Sequence, residues 1–126
     1  RIASPEGFEL PAGDIARADG LQGSLPQMRD PDAAVKGAQA VYTDTWISMG
    51  QEEQAAARRK VFASYRVTQK LMAKAASDAG VMHCLPAVRG EEIDLDVMRG
   101  PQSAIWDQAE NRLHAQKSLL RWLLCR

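Results

Sequence analysis

The sequence predicts an α/β fold, a parallel sheet flanked by helices, and three observations carry that prediction. Short β-prone runs alternate with helical stretches, the loops between them are brief, and capping residues mark several helix starts. Successive strands separated by helices return by crossover, which makes them parallel.

The chain opens with Arg1-Ile2-Ala3-Ser4-Pro5, which reads as the end of a strand entering a turn. It lacks the apolar core of a signal peptide, and with Arg at residue 1 the chain is expected to have been cut into. Four prolines (Pro5, Pro11, Pro26, Pro31) and four glycines (Gly7, Gly13, Gly20, Gly23) follow by residue 31, a density that marks loops and short elements. Residues 14–19 fit one or two helical turns, and residues 21–25 fit a short strand that Pro26 ends or confines to an edge. Asp30-Pro31-Asp32 places a capping residue before Pro at the first helical position, so a short helix should run to Gly37.

Ala40-Val41-Tyr42-Thr43 is β-prone, and residues 44–50 form a loop that opens onto a helix. Gln51-Glu52-Glu53 put negative charge in its first turn and Arg58-Arg59-Lys60 come later, as the helix dipole favours. Residues 67–76 are a second helical stretch, with Leu71 and Ala75 four apart. Gly80-Val81-Met82-His83-Cys84 is strand-like and Leu85-Pro86 ends it. A polar loop, Arg89-Gly90-Glu91-Glu92, leads to a short helix near residues 94–98, and residues 103–106 are a last strand candidate. Asp107 with Glu110 forms a capping box for a terminal helix, whose buried face should carry Ala109, Leu113, Leu120 and Leu124.

A length of 126 residues suits one domain. Sixteen basic and sixteen acidic side chains cancel, which argues against nucleic-acid binding by bulk charge. Hydrophobic residues at 45% and charged ones at 25% are the balance of an ordinary globular protein. No apolar run approaches the ~20 residues a membrane span needs. Cys84 and Cys125 are too few for a disulfide framework, and zinc-ligand spacing is absent, so a reducing cytoplasm is the expected setting.

In an open parallel sheet, ligands bind beyond the carboxyl ends of the strands. Three loops meet that description: those after Thr43, after Cys84 and after Trp106. Asp44 at a strand end suits a ligand ammonium, while Ser48 and the loop amides suit a carboxylate, the backbone end of an amino acid. The same two residues also suit capping of the following helix. Cys84 reads either as a small buried hydrophobe or as a group that packs against a substrate and donates or accepts weakly; covalent thiol catalysis has little support, because His83 cannot easily serve as its base when neighbours in a strand point to opposite faces. Arg112, near the positive end of a helix dipole, either faces an anion or is solvated or paired with Asp107 or Glu110. His114 and Trp106 are read as packing residues.

Asp44-Thr45-Trp46-Ile47-Ser48-Met49-Gly50, Met82-His83-Cys84-Leu85-Pro86-Ala87 and Asp107-Gln108-Ala109-Glu110-Asn111-Arg112 resemble, in order and spacing, the second half of the ornithine carbamoyltransferases. The resemblance is clear from Asp30 to Leu124 and weaker back to Arg1. It implies that residues 1–126 are an ornithine-binding domain with a partial Rossmann-like sheet, lacking its first strand and the carbamoyl-phosphate domain. The reaction it implies is attack of the side-chain amine of L-ornithine on carbamoyl phosphate, giving L-citrulline and phosphate with no metal or organic cofactor. In those terms Asp44 holds the α-ammonium, and Ser48 with the Met49 amide contacts the α-carboxylate. Cys84 lies beside the reacting amine, the Leu85 carbonyl receives the carbamoyl NH2, and Arg112 polarises the carbamoyl oxygen. The resemblance also implies a cis Leu85-Pro86 bond and a cytoplasmic homotrimer, with no nucleic-acid or membrane partner.

The departures are specific. The family's Ser-Thr-Arg-Thr-Arg and His-Pro-x-Gln motifs do not occur in this sequence, nor does the opening strand whose asparagine grips ornithine. Residues 11–27 are shorter than the family pattern, and Val88 stands where many members have His. Two expectations follow. Either the chain supplies the ornithine-binding half of a transferase and is inactive alone, or it is a non-catalytic remnant that binds an amino acid or a partner chain through an exposed sheet edge. A transferase acting on another amine is disfavoured by Ser48-Met49-Gly50.

Overall fold

The two β-prone runs at the centre of the chain, Ala40–Thr43 and Gly80–His83, pair as parallel strands in the register Ala40↔Gly80 through Thr43↔His83. They are β3 and β4 of a computed structural model that describes residues 1–19, 21 and 23–125. Before them come β1 (Ile2–Ala3), α1 (Ala12–Asp19), β2 (Gln27–Met28) and α2 (Pro31–Val35). Between them lie α3 (Ala55–Phe62) and α4 (Gln69–Met72), with 3₁₀ turns at Glu52–Gln54 and Ala63–Tyr65. After them come α5 (Leu95–Met98) and α6 (Ile105–Leu124).

Local chemistry explains the element starts. Asp30 caps α2: its Oδ1 accepts the Asp32 N–H at 2.9 Å, with Pro31 at the first position. Beyond α2, Gly37 adopts φ +64°, a left-handed conformation that favours glycine after a helix. Thr68 caps α4 by accepting the Leu71 N–H at 3.1 Å. Arg1 reaches across to the C-terminal end of α2, donating from Nη1 to the carbonyls of Ala34 (3.0 Å) and Lys36 (2.7 Å).

β1 and β2 also pair in parallel, Ile2↔Gln27 and Ala3↔Met28. The partial parallel sheet that the sequence predicts is thus present as two parallel pairs, β1-β2 and β3-β4. Residues Arg1 and Ala3 on one side and Ala40–Thr43 on the other line a common cavity of about 600 Å³. The far side of β4 is extended by a parallel bridge between Val81 and Ser103. The core lies against β3-β4: Val35, Val67, Leu71, Met72, Ala79, Val81, Ile93, Val97, Met98 and Ile105 form one buried cluster, with Val41 packed on it.

Several sequence expectations are corrected. The strand expected at residues 21–25 spans Gln22, outside the described residues, and the observed strand follows Pro26 at Gln27–Met28. Of residues 67–76 only Gln69–Met72 form the α-helix, because Val67 joins a parallel bridge to Ile93. Residues 103–106 are not a strand. Ser103 makes a single bridge, and α6 starts at Ile105 with Ala104 as an N-cap that makes no side-chain bond, so Asp107 lies inside the helix. The apolar residues expected to bury α6 stand in solvent: Leu113 is 65% exposed, Leu120 57% and Leu124 79%. Trp106 is 55% exposed, and His114 pairs with Glu110 at 3.4 Å on the surface. No helix among the described residues is long and apolar enough to cross a membrane.

Candidate functional site

Parallel pairing brings the carboxyl ends of β3 and β4 side by side, and the residues that follow them meet. A carboxylate oxygen of Asp44, a ring nitrogen of His83 and the sulfur of Cys84 all lie within 4.8 Å of one another. The Cys84 thiol is a free thiol, half-buried. Its pKa is raised, first by burial and then by its hydrogen bond to Asp44, against an opposing hydrogen bond from Tyr42. A thiol in that setting stays protonated at neutral pH. It is a neutral neighbour, not a nucleophile.

Three donor groups this close invite a metal, but the chemistry of His83 argues otherwise. Its Nδ1 accepts the Leu85 N–H at 2.8 Å, and its Nε2 faces the Glu92 carboxylate at 3.1 Å. Nδ1 therefore has no lone pair to give and the ring proton sits on Nε2. The donor set reduces to Asp44 and Cys84, too few for a closed site. Both ring nitrogens being engaged also agrees with the expectation that His83 is no base for the thiol.

The turn after Cys84 is the most constrained backbone of the site. The Leu85-Pro86 bond is cis, as the resemblance implied, and Leu85 has φ +55°. A left-handed conformation at a residue with a side chain costs roughly 1–2 kcal/mol, so neighbouring contacts must hold it. They do so at both ends: His83 takes the Leu85 N–H, and Glu92 Oε1 accepts the Val88 N–H at 2.6 Å. Glu92 is fully buried, which overturns the reading of residues 89–92 as a uniformly polar loop.

The loop of residues 44–50 is held differently. Asp44 Oδ1 accepts the Thr45 N–H at 2.7 Å, the Ser48 N–H donates to Gln51 Oε1 at 3.2 Å, and the Gly50 N–H donates to Glu52 Oε1 at 3.0 Å. Backbone N–H groups of Glu52 and Gly50 hold the Glu52 carboxylate below the usual carboxylate range. Gln51, at the N-cap of the following 3₁₀ turn, makes no side-chain cap bond, and neither Asp44 nor Ser48 supplies one. The capping alternative for these two residues is thus excluded. Trp46 anchors the loop in the interior, while Ser48 is exposed and Met49 is 98% exposed. Arg58 braces it by donating to the Trp46 carbonyl at 3.2 Å.

α6 joins the site through Gln108. Its Oε1 accepts the His83 N–H at 3.0 Å and its Nε2 donates to the Tyr42 hydroxyl at 3.1 Å, so one side chain ties β3, β4 and α6 together. Arg112 lies one turn further along the same helix face. It is exposed, with no ion pair to Asp107 or Glu110. The structure therefore gathers Asp44, Cys84 and Leu85 at the strand ends and sets Arg112 on the helix fastened there. Ser48 and Met49 stand at the loop's outer edge.

Sequence reasoning missed Tyr42, Glu92 and Gln108. Tyr42 was legible only as a strand residue; position two before Asp44 is the one signal that could have placed it. Nothing in a Gly-Glu-Glu run distinguishes the acid that turns inward.

Comparison with known proteins matches residues 1–123 to the family model described as aspartate/ornithine carbamoyltransferase, Asp/Orn binding domain. An ornithine carbamoyltransferase of Acidothermus cellulolyticus is 53% identical over 127 residues, covering 98% of this chain and 41% of that protein. The structure resembles the ornithine carbamoyltransferase from Pyrococcus furiosus with a TM-score of 0.86 at 49% identity, over 94% of this chain and 39% of that one. For the anabolic enzyme from Campylobacter jejuni the TM-score is 0.87 at 31% identity, over 97% and 42%. The chain spans about two fifths of the length of the relatives it matches.

Proposed function

The chain belongs to the aspartate/ornithine carbamoyltransferase family, and from that membership we propose that it supplies the amino-acid-binding half of an ornithine carbamoyltransferase. The observation that carries this reading is the convergence of Asp44 and Cys84 within 4.8 Å, beside the turn that displays Leu85. Asp44 holds the α-ammonium of L-ornithine, and Ser48 with the Met49 amide takes the α-carboxylate. The side-chain amine attacks the carbonyl carbon of carbamoyl phosphate. The C–N bond forms, the C–O bond to phosphate breaks, and the amine loses a proton, giving L-citrulline and phosphate.

The chemistry of each group fits its role. The amine attacks only when neutral, and the neutral Cys84 thiol beside it offers no charge that would favour the ammonium form. The Leu85 carbonyl accepts from the carbamoyl NH2. The Arg112 guanidinium faces an oxygen that gains negative charge in the tetrahedral intermediate, so it stabilises the transition state more than the ground state. Carbamoyl phosphate is bound by a phosphate site outside this sequence, and the complete assembly in this reading is a cytoplasmic homotrimer.

A second reading, a non-catalytic domain that binds a partner chain, is favoured by one feature: the open edges of β1 and β3 across the 600 Å³ cavity. Calorimetry separates the two. Heat on adding L-ornithine that disappears in Asp44→Ala supports the amino-acid site, and the same chain forms no L-citrulline without a carbamoyl-phosphate domain. Absence of heat together with concentration-dependent association supports the partner reading.

A further inference from the structure

The turn at residues 84–88 is gripped from behind by two side chains that never reach the surface. His83 and Glu92 are both completely buried. The His83 Nδ1 accepts the Leu85 N–H at 2.8 Å, its Nε2–H donates to Glu92 Oε1 at 3.1 Å, and the same oxygen accepts the Val88 N–H at 2.6 Å. Three bonds in series thus tie both ends of Leu85-Pro86-Ala87-Val88 to the interior. The inner end of the chain is fixed in turn: the Val67 N–H donates to the Glu92 carbonyl at 2.9 Å, and Ile93 next to it is fully buried.

Stability alone does not account for this pair. Because Nδ1 is an acceptor, the imidazole is neutral and offers Glu92 a hydrogen bond without a countercharge. A buried carboxylate so partnered is a poor stabiliser, and apolar residues of similar volume fill such a space as well or better. What the pair supplies instead is direction. Leu85, at φ +55°, sits in a conformation that disfavours a residue with a side chain; the bond to His83 fixes the peptide plane that enters it, and the bond from Val88 to Glu92 fixes the far end of the turn, so the Leu85 carbonyl is held between two anchored ends.

We propose that His83 and Glu92 are positioning residues that hold the turn at Leu85-Pro86-Ala87-Val88 and so place the Leu85 carbonyl at the carbamoyl group of the substrate. The proposal rests on the reading that this carbonyl receives the carbamoyl NH2. It assigns work to two residues that touch no ligand.

Two substitutions at His83 dissect the device. In His83→Asn the side-chain oxygen reaches the Nδ1 position, keeping the bond to Leu85 and losing Glu92. In His83→Gln the amide reaches the Nε2 position, keeping Glu92 and losing Leu85. Both break one buried bond, so their melting temperatures should fall alike. The Leu85 amide should exchange with solvent at least tenfold faster in His83→Gln than in His83→Asn. L-citrulline, which carries the carbamoyl NH2, should bind His83→Gln about tenfold more weakly than it binds the parent chain, the effect of one hydrogen bond. L-ornithine, which lacks that group, should bind within twofold of the parent. Equal exchange in the two variants, or parallel loss of both ligands, overturns the proposal. If the parent chain binds neither amino acid, the amino-acid reading of the site falls, and the exchange comparison alone then decides whether the grip on Leu85 exists.

Discussion

Cys84 shows how one residue's surroundings decide its chemistry. Burial and the adjoining Asp44 carboxylate both push its thiol pKa upward, and the Tyr42 hydroxyl pulls the other way. Removing the carboxylate's charge should therefore lower the pKa and raise the thiolate fraction at any pH below it. In Asp44→Asn, with Cys125→Ser to silence the exposed thiol, iodoacetamide should modify Cys84 several-fold faster at pH 8, since each unit of pKa is about tenfold in thiolate. An unchanged rate would show that Asp44 does not act on the sulfur. At this scale the sequence was informative about where a residue stands, as for Asp44 and Cys84 at the strand ends. It was silent where the role depends on which way a side chain turns. Glu92 is adjacent to Glu91, yet one is sealed in the core and the other pairs with Arg59 at 2.8 Å near the surface.

Elements defined by local chemistry were read closely. Asp30-Pro31 marked α2, and the β-branched and aromatic residues of Ala40–Thr43 marked β3. Elements defined by distant contacts were not. Val67 looks helical in sequence, but its backbone is claimed by the Glu92 carbonyl and by Ile93. α6 is the sharpest case: its amphipathic spacing was real, and the structure leaves Leu113, Leu120 and Leu124 of its apolar face in solvent. Only Ile105 at its start is buried. Exposed leucines on this scale drive association between copies. Replacing Leu113 and Leu120 by Lys should raise the monomer fraction in sedimentation and leave thermal stability almost unchanged. Both side chains already stand in solvent and Lys is as good a helix former as Leu, so the cost stays within ~0.5 kcal/mol. A sedimentation profile that does not change would show that this face of α6 makes no contact between copies.

For the molecule as a whole, the decisive feature is the division of the sheet. Alternating strands and helices made the parallel pairing legible, and the resemblance implied a sheet that lacks its first strand; that β1 and β3 stand unpaired with each other is not encoded in a pattern of propensities. The β3-β4 pair carries four registered residues, a bridge to Ser103 and, through Val81 and Val41, the contact with the buried cluster; β1-β2 carries two residues and is linked to it largely through α2 and the Arg1 guanidinium. An interrupted ladder is an interrupted stiffness. Backbone nuclear relaxation should return higher order parameters along Ala40–Thr43 and Gly80–His83 than along Ile2–Ala3 and Gln27–Met28, with similar values in both pairs as the contrary result. The floor of the proposed amino-acid site would then belong to the rigid part of the molecule, and its breathing would be confined to the strands that carry none of the residues assigned to it.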